Sequence, residues 1–218
     1  MLKKNGFTLA EVLVSLAIMG IIAALSLPTL LLNVEKRKVG PALMKAVNTL
    51  EASSSLALQM RDARKLSDIK KGGGSSLPLV SNILLEYTKL TPVPYVITTG
   101  TAPSGNAYAT KDGVIFFDNG VPVEKEGHNV YVVPVDTNGQ RGPNKEGKDI
   151  FMLYVLMNGL VVPEGSYLYA EKFGGDTWEV GCKSMTATDS SAPTEPKACA
   201  GAIIDNGGRV LYNYEALN

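Results

Sequence analysis

Lys3-Lys4-Asn5-Gly6-Phe7-Thr8-Leu9-Ala10-Glu11 opens a stretch that stays apolar as far as Leu32, and within residues 7–32 Glu11 is the single ionisable side chain. At about 1.5 Å of rise per helical residue, a segment of that length crosses a bilayer core of roughly 30 Å. A chain that opens this way enters a membrane. An ordinary secretory signal has a shorter apolar region ending in a small-residue cleavage site, with no glutamate near its start. Here the small residue, Gly6, comes before the apolar run. A cut after Gly6 removes only the basic leader, residues 1–6, and leaves the whole apolar helix on the mature chain with Phe7 at its new terminus.

Glu11 needs a partner, because a carboxylate inside an apolar helix is expensive in lipid. The amine created at Phe7 is a cation in the same helical turn. In a bundle of identical helices, the amine of one subunit reaches the Glu11 of its neighbour, and that pairing sets an axial register. The competing reading is a snorkelling or protonated carboxylate with no partner.

Gly6 before the cut, Phe7 after it, Thr8 and Leu9 next, and Glu11 close behind resemble the prepilin leader of type IV pilin-like proteins: pilins, minor pilins and secretion pseudopilins. The resemblance covers about residues 1–60. It implies cleavage between Gly6 and Phe7 by a prepilin peptidase, N-methylation of Phe7, a role in assembly for Glu11, and helix-loosening positions at Gly20 and Pro28. The implied partners are that peptidase, neighbouring pilin subunits and an inner-membrane assembly platform. The implied location is the bacterial inner membrane before assembly, then a periplasmic or cell-surface filament. Charge counting alone does not orient the helix, since Lys3 and Lys4 precede it and Glu35-Lys36-Arg37-Lys38 follow it. The resemblance places the leader inside and the domain outside.

Beyond the apolar run, Val39, Leu43, Ala46, Val47, Leu50, Ser54, Ala57 and Leu58 recur at three- and four-residue spacing, so the helix continues into water with one apolar stripe. Pro41 bends or loosens that helix without ending it. Residues 61–76 are polar and finish in Gly72-Gly73-Gly74-Ser75-Ser76, a flexible connection. Residues 81–90 read as a short helix stopped by Pro92 and Pro94. From Tyr95 onward the pattern changes to short β-rich runs at 95–99, 114–117, 130–135, 150–156 and 160–162. Asp112-Gly113, Asn119-Gly120, Asn158-Gly159 and Asn206-Gly207 stand as tight turns. The class is α+β: a long N-terminal helix, membrane-spanning in its first half and amphipathic in its second, packed on an antiparallel sheet as in pilins. The expected divisions are 1–6 leader, 7–32 membrane or filament-core helix, 33–64 amphipathic continuation, 65–94 connecting region and 95–218 exported β-rich domain.

Composition excludes some functions. The 218 residues carry 21 basic and 21 acidic side chains, so no global positive field attracts a nucleic acid. Gly142 to Lys148 imitates the start of a phosphate-binding loop, but Asp149 stands where Ser or Thr belongs, and Ile150-Phe151-Met152-Leu153 reads as strand. In the same segment Asp136, Asn138 and Asp149 are calcium candidates, because calcium is bound by oxygen ligands, although the spacing fails the EF-hand pattern. The default reading is a structural turn. Cys182 and Cys199, both in the exported part, favour a disulfide over a redox or zinc site; they bracket a polar loop and have no close CxxC spacing. A bond between cysteines near the C-terminus is also what the pilin resemblance implies. His128 reads as an exposed spacer, and Trp178 with Tyr167, Tyr169 and Phe173 reads as packing. No catalytic constellation is present in the sequence, so the expected function is that of a filament subunit and not of an enzyme, with no cofactor. The alternative is a membrane-anchored exported binding protein or enzyme whose helix is only an anchor.

Overall fold

A computed structural model describes residues 8–69, 77–95, 103, 105–182, 193, 195–212, 214 and 217, apart from the side chains at 28, 29, 32 and 33. Its first element is α1, Leu9–Met60, a helix of 52 residues. Gly20, Pro28 and Pro41 all lie inside it, and it runs unbroken through each. The chain divides into two compact units at residues 36 and 37. In the first, Leu9–Leu27 is long and apolar enough to cross a membrane, with mean hydropathy 2.3 and no share of it buried. Its hydroxyls turn inward on the helix: Ser15 Oγ donates to the Glu11 carbonyl at 2.7 Å and Ser26 Oγ to the Ile22 carbonyl at 2.8 Å.

The second unit is an α+β domain. After α1, one 3₁₀ turn at Leu66–Asp68, a π turn at Leu79–Ile83 and a second 3₁₀ turn at Leu84–Glu86 lead to the sheet. The expected helix at 81–90 is therefore replaced by a π turn followed by a 3₁₀ turn. Such irregular turns suit this segment, which buries Leu79, Val80, Ile83 and Leu84 almost side by side instead of along one α-helical stripe.

Among the described residues the strands are β1 Thr91–Val93, β2 Asn106–Ala109, β3 Ile115–Asp118, β4 Val123–Lys125, β5 His128–Asp136, β6 Ile150–Leu156 and β7 Val161–Pro163. All pairings between them are antiparallel, in the order β1-β2-β3-β5-β6-β7. β5 divides one of its edges between two partners. Its far end pairs with β3 through Phe116 and Val135, and its near end pairs with β4 through Val123 and Val130. Pro134 falls in the interval between those pairings, and Pro92 lies in the edge strand β1, both places where a missing N–H is tolerated. The expected strand at 95–99 lies, from residue 96 onward, outside the described residues; β1 precedes it, at Thr91–Val93.

Alternation along β5 and β6 decides what each sheet face meets. Tyr131, Val133 and Val135, with Phe151, Leu153 and Val155, join one core with the α1 residues Val39, Leu43, Ala46, Val47, Leu50 and Ala57. Val130, Tyr154, Leu156 and Val162 join a second core with Tyr169 and Phe173 of α2, Tyr167–Phe173. α2 is capped at its start by Ser166 Oγ, which accepts from the Tyr169 amide at 3.0 Å, and it ends at Gly174 with φ +66°. Two further short helices, α3 Trp178–Gly181 and α4 Cys199–Asp205, complete the described helices.

Candidate functional site

At the start of α1, the Thr8 amide donates to Glu11 Oε2 at 2.8 Å and the Thr8 hydroxyl donates to the same oxygen at 2.8 Å. In return the Glu11 amide donates to Thr8 Oγ1 at 3.3 Å, and the first helical bond runs from Val12 N to the Thr8 carbonyl at 3.2 Å. This is a reciprocal capping box, Thr-x-x-Glu, which satisfies helix-start donors that lipid cannot satisfy. Glu11 thus has a partner inside its own chain. Thr8-Leu9-Ala10-Glu11 carries the sequence signal of that box, which the charge of Glu11 by itself does not disclose. Gly6 and Phe7 lie outside the described residues.

The second candidate region joins β5 to β6, and it brings Asp136, Asn138 and Asp149 together. Asp149 Oδ2 accepts from the Asn144 amide at 2.8 Å and from Asn138 Nδ2 at 3.1 Å, while Oδ1 accepts from the Lys145 amide at 2.6 Å. Asp136 accepts from the Asn138 amide at 3.0 Å and from the Tyr95 hydroxyl at 2.6 Å. Asp136, Asn144 and Asp149 are wholly buried. Burial pushes the Asp136 carboxyl up to about 7 against the pull of those donors, and it pushes Asp149 up as well.

Calcium takes six to eight oxygen ligands. The carboxylate oxygens already face N–H and O–H donors, and Asn138 turns its NH₂ group, not its oxygen, toward Asp149. The oxygen left over, Asn138 Oδ1, is buried without a partner and would be a single ligand. Among the described residues, no group of three or more His, Cys, Asp or Glu side chains is placed to hold a metal. In this structure Asp136, Asn138 and Asp149 take part in a hydrogen-bonded loop closure, in which Asp149 gathers the amides of a turn and so replaces their water.

Cys182, at the end of α3, and Cys199, at the start of α4, form a disulfide with Cα atoms 5.0 Å apart. His128 is exposed and sets its ring edge-on to Phe173 at 5.8 Å.

No curated protein and no solved structure matches the chain. Residues 1–27 do match a family model, described as the prokaryotic N-terminal methylation motif. The exposed apolar span Leu9–Leu27 lies within that motif, and the combination fits a type IV pilin-like exported subunit. Residues 1–27 of this chain thus resemble the prepilin signal of type IV pilin-like proteins.

Proposed function

We propose that the chain is a structural subunit of a type IV pilus or a related type II secretion-like filament, processed by prepilin peptidase between Gly6 and Phe7 and assembled through its N-terminal helix. The observation that carries this reading is the methylation motif placed on a helix whose apolar residues its own chain leaves uncovered. In the membrane, lipid covers them. In a filament, copies of the same helix do so, and the contact is made by packing and interhelical polar pairs.

The capping box supplies the polar part. The Thr8 amide belongs to the Phe7–Thr8 peptide, so cleavage after Gly6 leaves the box intact and frees an amine one residue before it. Thr8 occupies part of one carboxylate oxygen, and an ionised carboxylate has about four acceptor sites. Glu11 therefore keeps capacity for the Phe7 amine of a neighbouring subunit, in a region where an unpaired charge is costly. Loosening at Gly20 and Pro28 belongs to the assembled state in this reading. Pro28 already lacks the N–H that would bond the carbonyl four residues before it, so the helix loses little by opening there. The domain that follows has a structural and adhesive role on the filament surface.

Filaments sheared from the native cell test the reading. The chain is expected in the sheared fraction, alongside membrane-bound precursor that still carries residues 1–6. A chain found only in the membrane under conditions where filaments are made contradicts it.

A further inference from the structure

The second core of the sheet holds an arrangement that filament assembly does not use. Tyr154 of β6 and Tyr169 and Phe173 of α2 pack against one another with ring centroids 5.2 to 5.6 Å apart. Each ring is at least nine-tenths buried. Tyr169 and Phe173 are four apart on one helix and so present neighbouring faces. The ammonium of Lys125 lies 5.0 Å from the Tyr154 centroid, 5.3 Å from Tyr169 and 5.8 Å from Phe173. One cation over three rings is the geometry by which aromatic cages hold ammonium ligands.

A carboxylate completes the surroundings. Glu164, in the turn between β7 and α2, has Oε2 buried without a hydrogen-bond partner. Burial raises the Glu164 carboxyl above its ordinary value, and Lys197, Lys125 and the Tyr154 hydroxyl pull against that shift. A cage of rings beside a buried acidic oxygen has the chemistry of a site for a primary alkylammonium, which offers a compact positive charge to the rings and N–H donors to the oxygen.

The group now filling the cage arrives on a short strand with a single partner. β4 has three residues and pairs only with β5, and the turn that follows it holds Glu126 at φ +46° and Gly127 at φ +75°. The rings sit instead on the seven-residue strand β6 and on a capped helix. We propose that Tyr154, Tyr169, Phe173 and Glu164 form an alkylammonium-binding site that Lys125 occupies in the resting chain, and that a lysine-like ammonium from outside the chain takes the site when β4 withdraws. The inference stands independently of the filament reading.

The test uses the full-length chain in detergent micelles with ¹³C-labelled tyrosine, and n-butylammonium as the lysine head group. In Lys125→Ala, n-butylammonium shifts the Tyr154 and Tyr169 ring resonances saturably. In the unsubstituted chain the same response is at least about tenfold weaker, because the tethered lysine competes at roughly millimolar effective concentration. Adding Tyr169→Ala to Lys125→Ala removes the response. Equal responses in the two chains overturn the proposal, and so does the absence of a saturable response in a Lys125→Ala chain whose Tyr169 and Phe173 rings remain in contact.

A second measurement needs no substitution. Reductive methylation of the native chain is expected to modify Lys125 at least about tenfold more slowly than the exposed Lys89 and Lys111. Equal rates show an uncaged ammonium and overturn the proposal even if the variant fails to fold.

Discussion

The two parts of α1 are made of similar residues and meet opposite fates. Leu9–Leu27 is apolar on every side, and none of it is buried by its own chain. Between Val39 and Ala57 the apolar residues form one stripe, and Val39, Leu43, Ala46, Val47, Leu50 and Ala57 are all buried in the core of the sheet. Helical propensity does not separate them, because both are helix. What separates them is angular distribution: a stripe is satisfied by one sheet face, whereas a rod apolar all round needs lipid or several helices around it. The domain therefore buries its stripe within its own chain, and the N-terminal rod does not.

Substitutions sharpen that contrast. The largest expected effect falls on the rod. Glu11→Leu is expected to leave membrane insertion intact and to abolish incorporation into filaments, as read by the amount of chain in sheared fractions. Filaments of normal yield would break the comparison at its root. Thr8→Val, which removes the hydroxyl of the box but keeps the carboxylate, is expected to lower the yield without abolishing it.

In the domain the effect is on stability. Leu43→Ala removes a fully buried side chain and is expected to destabilise the domain by about 2–5 kcal/mol, measured by thermal unfolding in detergent followed by near-UV circular dichroism. Ile21→Ala, the same kind of truncation on the exposed rod, is expected to leave that transition unchanged.

Reducing Cys182–Cys199, which closes a separation of 17 residues, is expected to destabilise the domain by roughly 3 kcal/mol. Gly40→Ala tests how closely α1 meets the domain: a Cβ there would overlap the Gly208 carbonyl oxygen, with an expected loss of about 1–3 kcal/mol.

The pH dependence probes the same domain. Asp136 is raised to about 7 from an ordinary value of 3.8, and Asp149, Glu164 and Asp205 are raised as well. Between pH 4 and 7 the folded chain consequently holds more protons than the unfolded one, so stability falls as pH rises through that window. Asp136→Asn is expected to flatten the slope, and a slope unchanged in that variant removes Asp136 as its source.

Much of this architecture was legible in the residues themselves. The 3.6-residue stripe named the buried face of α1 residue by residue, and β6 occupies the very span, 150–156, that its apolar run indicates. Local signals of that kind survive folding because one side chain's preference suffices. β2, Asn106-Ala-Tyr-Ala, has no such signal; its strand character comes from pairing with β3. α2 was hidden by its aromatics, which suit strands as well as helices, although the cap Ser166 and the terminal Gly174 were present to be read. The cage is illegible for a plainer reason: Lys125, Tyr154 and Phe173 are brought together only by the sheet and the helix that follows it. At the N-terminus the prepilin pattern could be read from one short stretch, whereas the Thr8–Glu11 box required asking what satisfies the first amides of a helix in lipid.

The mature N-terminus tests the central claim most directly. Mass spectrometry of the N-terminal peptide from chain recovered in native filaments is expected to find Phe7 first, carrying a methyl group on its amine. A polypeptide that retains Met1, or one cut beyond Leu32, would contradict the account, because the rod would then be a plain anchor or a discarded signal.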